Sequence, residues 1–208
     1  MSISPNSKND LLKKAKQTIL GIYGQESPDI LSFPFHQKVE RSIVLMDYSG
    51  GLYGELLRAI STVAQNQGDS GFYLSYPVLF DKEVASPPFV PYWYIPFDEG
   101  SDYIVETETF VYRYTHYSPQ GLWGIVASND VFGVLSGTNA FMQQVLQLAP
   151  ELSNDVNNFI VYWAEHKKRH SLNIDWIPLF LRNVYGASGA SELIDFLKYM
   201  TEASAKGS

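Results

Sequence analysis

The sequence predicts an α+β domain with a mainly antiparallel sheet of about five or six strands over residues 43–135, N-terminal helices and a helical C-terminal third. Three observations lead there. Aromatic and β-branched runs bounded by Pro, Gly and Asp fill the stretch from Gly71 to Val134. Helical spacing of apolar residues dominates after Gly137. The strands come as a block before the helices, without the alternation of a parallel βαβ fold. At 208 residues the chain suits one large core, so a single domain spanning 1–208 is expected, with residues 1–9 and 202–208 frayed.

At the N-terminal end, Leu11, Leu12, Ala15, Ile19 and Ile22 recur at helical spacing with lysines opposite, which predicts an amphipathic helix ending at Gly24. Gln25 to Pro34 reads as a loop. Ser42 to Asp47 reads as a strand, Ser49 to Gly51 as a turn, and Leu52, Leu56, Leu57 and Ile60 as a helix that ends near Gln67 and Gly68.

In the strand block, Phe72 to Phe80 is one strand and Phe89 to Phe97 a second. Pro88, Pro91 and Pro96 push the second to the edge of the sheet, because proline cannot donate to the ladder. Tyr103 to Tyr117 forms a long third strand, and Leu122 to Ala127 with Val131 to Leu135 a closing hairpin. Thr138 then caps a helix that Pro150 terminates. Further helices are expected over Leu152 to His166, Ile174 to Tyr185 and Ser191 to Met200.

Fifteen Lys and Arg against 22 Asp and Glu give a formal net charge of -7. That charge repels phosphate backbones and anionic headgroups, so neither nucleic acid nor a membrane is an expected partner, whereas a basic protein is. Absence of cysteine excludes disulfides, zinc–thiolate sites, iron–sulfur clusters and thiol nucleophiles. Met1 to Asp10 is polar and no apolar run approaches the roughly 20 residues of a membrane span, which points to a cytoplasmic protein.

Four groups of residues could carry function. Ser49, Gly50, Gly51 and Gly54 lie between a strand and a helix, where a loop can cradle phosphate. The glycines read G-G-x-x-G, without a dinucleotide fingerprint or a Walker lysine, and a turn that simply needs glycine explains them as well. His166 and His170 have the i, i+4 spacing of a metal chelate. The three cations between them, Lys167 to Arg169, oppose a metal and suit a basic helix end.

Glu106 and Glu108, with His116 further on, share one parity of the third strand, and Asp98, Glu99 and Asp102 add acid just before it. This set reads as a solvent-facing strand surface or as a docking patch for a basic partner, with acid–base catalysis a third option. The aromatic concentration, including Tyr112 and Tyr114, fits a core. It also fits an interface, where tyrosine supplies anchor area at low entropic cost. No G-x-S-x-G elbow or recognisable histidine partner motif occurs, so no catalytic residue and no cofactor are assigned.

Residues Gly121 to Asp130, followed by Val134-Leu135-Ser136-Gly137-Thr138 and Phe141, resemble a segment of small uncharacterised bacterial proteins, some grouped with toxin-immunity proteins. The resemblance covers about 25 residues and assigns no functional residue. It implies a small acidic protein that blocks a basic toxin or nuclease by occluding its site. The expected function is accordingly a non-catalytic protein-binding domain, an immunity-type inhibitor, with Asp98, Glu99, Asp102, Glu106, Glu108, Tyr112 and Tyr114 as contact surface. The alternatives are a small-molecule or nucleotide-binding domain or enzyme built on the Ser49–Gly54 turn, and a structural accessory subunit with a large exposed apolar patch.

Overall fold

A computed structural model describes residues 10, 13–18, 20, 39–46, 54–75, 92–97, 113–128 and 132–203. Its centre is one six-stranded, entirely antiparallel sheet in the order β1-β6-β5-β4-β2-β3. The strands are β1 (Glu40–Leu45), β2 (Gly71–Ser75), β3 (Tyr92–Pro96), β4 (Arg113–Tyr117), β5 (Trp123–Ser128) and β6 (Phe132–Gly137). The α+β class is therefore as expected. Among the described strands β3 stands at an edge, as Pro96 requires, and β5 and β6 form the closing hairpin.

Strand bounds differ in detail. β1 starts at Glu40, two residues before the expected start, and Leu45 ends it. β2 covers Gly71–Ser75 and β4 covers Arg113–Tyr117; the remainder of both expected strands, 76–80 and 103–112, lies outside the described residues.

Residues 10, 13–18 and 20 are helical and form the described part of α1. The other helices are α2 (Gly54–Asn66), α3 (Asn139–Leu148), a 3-10 turn (Pro150–Asn154), α4 (Asp155–His170) and α5 (Ile177–Ala203). α2 closes at the expected place in a Schellman arrangement. Gly68 takes φ 93°, its N–H donates to the Gln65 carbonyl, and the Asp69 N–H reaches back to Ala64. The Thr138 hydroxyl accepts the Phe141 N–H at 3.2 Å and caps α3 as expected. Pro150 lacks the N–H to continue that helix and instead opens the 3-10 turn. The two helices expected over 174–185 and 191–200 are joined into α5, with Gly186 at φ 74°, ψ 172° as the non-helical break. α5 runs to Ala203, two residues into the stretch expected to fray.

Both faces of the sheet are covered, and successive residues along a strand serve opposite cores. Ile43, Tyr73, Tyr117, Val126, Phe132 and Val134 pack with Ala15 of α1 and with Phe159, Ile160, Phe180 and Leu181 of α4 and α5. Val44, Phe72, Trp123, Ile125 and Leu135 pack on the other side with Ile60 and Val63 of α2 and Phe141 and Val145 of α3. The Trp123 and Phe141 rings stack at 5.8 Å with an 8° tilt. Such pairs add about 0.5–1.5 kcal/mol beyond the area they bury.

This two-sided burial corrects the expectation of a solvent-facing surface on β4. Thr115, His116 and Tyr117 are consecutive and all buried, so neither parity of that part of the strand meets water. His116 is only 1% exposed, lies between Leu74 and Ile125 on the neighbouring strands and touches the Phe72 ring. Antiparallel sheets commonly leave one face wet; here α2 and α3 cover the face that would be.

Candidate functional site

A cavity of about 400 Å³ opens where the α2–β2 turn meets the β4–β5 turn, lined by Lys14, Asp69, Ser70, Tyr73, Tyr94 and Gln120 among others. The Schellman turn fixes the Asp69 backbone. Gln120, 51 residues further on, fixes its side chain: the Gln120 amide donates to Asp69 Oδ1 at 3.0 Å and to the Gln67 carbonyl at 3.1 Å. The Gln120 backbone N–H is itself held by the Ser118 hydroxyl at 3.0 Å.

Asp69 is 4% exposed, the one acidic side chain among the described residues that is buried. Its Oδ2 accepts no hydrogen bond there. Removing a carboxylate from water without pairing it is costly, so this oxygen is a place where a donor gains more than at the surface.

Two tyrosines form the aromatic wall. Tyr73 and Tyr94 meet edge to face at 5.7 Å between ring centroids. The Tyr94 and Ser70 hydroxyls share a hydrogen bond of 2.6 Å, which holds the Tyr94 ring although that residue is 38% exposed. Burial, with the nearby Tyr94, pushes the Tyr73 phenol above its ordinary value and keeps it neutral. Lys14 is exposed on α1 and stands at the mouth.

A second cavity, of about 340 Å³, lies beside the start of α2 and is lined by Gly54, Leu57, Arg58, Ser61, Phe72, Pro96 and Phe97. Of the glycine-turn residues, Gly54 takes φ 55° with open space around a would-be side chain; Ser49, Gly50 and Gly51 lie outside the described residues.

The acidic and tyrosine-bearing patch falls largely outside the described residues as well: Asp98, Glu99, Asp102, Glu106, Glu108 and Tyr112 are all there. Tyr114 is placed by its backbone in β4, opposite Ala127 of β5. In the sequence the patch lies between β3, an edge among the described strands, and β4, two strands further in.

His166 and His170 lie on the last two turns of α4 with ring centroids 5.6 Å apart. The His166 Nδ1–H donates to the Tyr162 carbonyl at 3.0 Å and the ring stacks on Tyr162. The nearest acid in sequence, Glu165, is engaged by Arg169 at 3.2 Å. Among the described residues no group of three His, Asp or Glu could hold a metal ion. The pair therefore belongs to the basic end of α4, where cations complement the helix dipole.

Sequence reasoning missed the Asp69 cavity. Gln-Gly-Asp-Ser after a helix reads as a solvated turn, and the signal that buries it, a second turn at Pro119-Gln120, is remote in the chain. No helix among the described residues is long and apolar enough to cross a membrane. No protein-family model, curated protein or solved structure matches the chain.

Proposed function

We propose that the chain is a non-catalytic protein-binding domain that receives a basic partner on the acidic, tyrosine-bearing stretch between β3 and β4, in the manner of an immunity-type inhibitor. The observation that carries this reading is the sequence connection of that stretch to β3, an edge among the described strands. Asp98 to Tyr112 follow β3 in the sequence; β3 pairs among the described strands only with β2, and its Tyr94 is exposed. The opposite edge, β1, is instead covered by side chains of α4 and α5. Net charge of -7 supplies long-range attraction for a basic toxin or nuclease. On this reading the protein works in a bacterial cytoplasm, to which a chain without cysteine is suited.

The test is capture of partners from the native host by the immobilised chain, compared with a Glu106→Lys/Glu108→Lys variant. A basic protein should be recovered by the parent chain and bind the variant about tenfold or more weakly, the difference shrinking at high salt. Unchanged recovery by the variant would remove the patch.

A second reading, a small-molecule-binding domain, is favoured by the 340 Å³ cavity at Gly54, within the range of about 300–1,000 Å³ usual for such sites. It requires a nucleotide or similar ligand to protect the Gly54 amide from hydrogen exchange, and absence of protection by any nucleotide tested would discard it.

A further inference from the structure

We propose that the cavity around Asp69 binds a small zwitterion of the free α-amino acid class, its ammonium on Asp69 and its carboxylate on Lys14. No lining residue used here belongs to the stretch Asp98 to Tyr112, so this proposal is tested independently of that one.

The inner end of the cavity is acidic and the mouth is basic. Asp69 is buried and offers an oxygen that accepts no hydrogen bond among the described residues. Lys14 is exposed and lines the same cavity. A simple cation would gain at Asp69 but be repelled by Lys14; a simple anion would meet the reverse. A ligand carrying both charges close together satisfies both.

The walls fit the same ligand. The exposed Tyr94 ring, backed by Tyr73, offers aromatic surface to an ammonium and apolar area to a side chain. The Ser70 bond holds Tyr94 in place before binding, which lowers the entropic cost of association. A volume of about 400 Å³ lies at the lower end of small-molecule sites, as a single amino acid requires.

Gln120 is the admitting group. Its side-chain amide already donates to the Asp69 carboxylate and to the Gln67 carbonyl, two bonds that an ammonium can replace. Gln120 is exposed and its amide sits on Asp69 Oδ1, so swinging the Gln120 side chain outward frees that oxygen without moving the sheet.

The experiment uses the full chain. The common L-amino acids are screened for a rise in melting temperature, and calorimetry then compares the best of them with its decarboxylated amine, its deaminated acid and its amide. For L-phenylalanine these are phenethylamine, 3-phenylpropionate and phenylalaninamide. The amino acid should bind about tenfold or more tightly than each of the three. Asp69→Asn should abolish binding of the amine, and Lys14→Met, an exposed substitution that leaves the core intact, should bring the amino acid down to the affinity of its amide. Failure of every amino acid to raise the melting temperature, or unchanged affinity in Lys14→Met, would overturn the proposal. Equal binding of the amide and the amino acid would also overturn it, since that result indicates the N-terminus of a peptide.

Discussion

The Tyr185 hydroxyl accepts the backbone N–H of Ile43 at 2.9 Å, so a side chain from α5 takes the place of a neighbouring strand at the β1 edge. Two residues on, the Leu45 N–H donates to Asp155 Oδ2 of α4, also at 2.9 Å. Ile43 and Leu45 have the parity that faces away from β6, and the Arg41 guanidinium extends the pattern by donating to the Asn183 carbonyl at 2.8 Å. An open edge is a template for another chain, and here helices borrowed from the C-terminal third close it. Tyr185→Phe removes the hydroxyl, which also hydrogen-bonds the Ser42 side chain, and leaves the N–H of the buried Ile43 unsatisfied. We expect it to lower stability by about 1–3 kcal/mol in urea unfolding and to speed exchange of the Ile43 amide.

Asp155 separates acceptor from charge. Burial raises its carboxyl pKa, opposed by the Leu45 N–H and reinforced by the charge of Glu151. The charged form is thus disfavoured in the folded state while an acceptor oxygen is needed. Asp155→Asn keeps an acceptor and drops the charge, and should stay within about 0.5 kcal/mol of the parent at neutral pH. Asp155→Ala should cost about 1–3 kcal/mol. Equal losses in both variants would show that the charge, and not the acceptor, matters at this edge.

What the sequence shows of this fold is what local chemistry decides. Thr138 caps α3, Pro150 stops it, Gly68 turns the chain out of α2, and Pro96 confines β3 to an edge, each through the backbone of its own neighbourhood. Strand pairing is different. β1 meets β6 across about 90 residues, and nothing local to either announces it. Arg-Tyr-Thr-His-Tyr in β4 reads as half-wet because polar types occur on both parities, yet Thr115 and His116 are both buried once α2 and α3 cover one face and α4 and α5 the other. The Asp69 cavity needs two turns 51 residues apart to meet, so it too becomes visible only with the tertiary structure.

Gly71 marks a close backbone approach between β2 and β3. A side-chain carbon there would run into the Ile95 carbonyl oxygen and come within 2.8 Å of Pro96 Cα, both main-chain atoms of β3 that cannot swing aside. Gly71→Ala should therefore cost about 3 kcal/mol or detach β3 from β2. Gly54 provides the contrast: its φ is 55° but nothing lies within 4 Å, so Gly54→Ala meets only backbone strain of about 1–2 kcal/mol. Urea unfolding of the two variants ranks them, and a milder effect at Gly71 than at Gly54 would contradict the packing seen between β2 and β3.

His116 makes stability depend on acid. Burial lowers its pKa to about 3 from 6.5, because charging the imidazole between Leu74, Ile125 and Phe72 has to be done without water. The unfolded chain binds a proton at this residue below about pH 6.5 and the folded chain does not until about pH 3, so stability falls with pH throughout that window. A shift of this size corresponds to about 4–5 kcal/mol between neutral pH and pH 3. Asp155 works in the opposite sense: its raised pKa means that the folded state binds a proton first, so acidification relieves its desolvated charge. The histidine effect is the larger, and the unfolding free energy should decline from about pH 6.5 downward. His116→Phe deletes the titrating group while keeping a ring beside Phe72, and should flatten that decline although its stability at pH 7 changes through packing. A pH profile of the variant as steep as the parent's would place the acid sensitivity elsewhere.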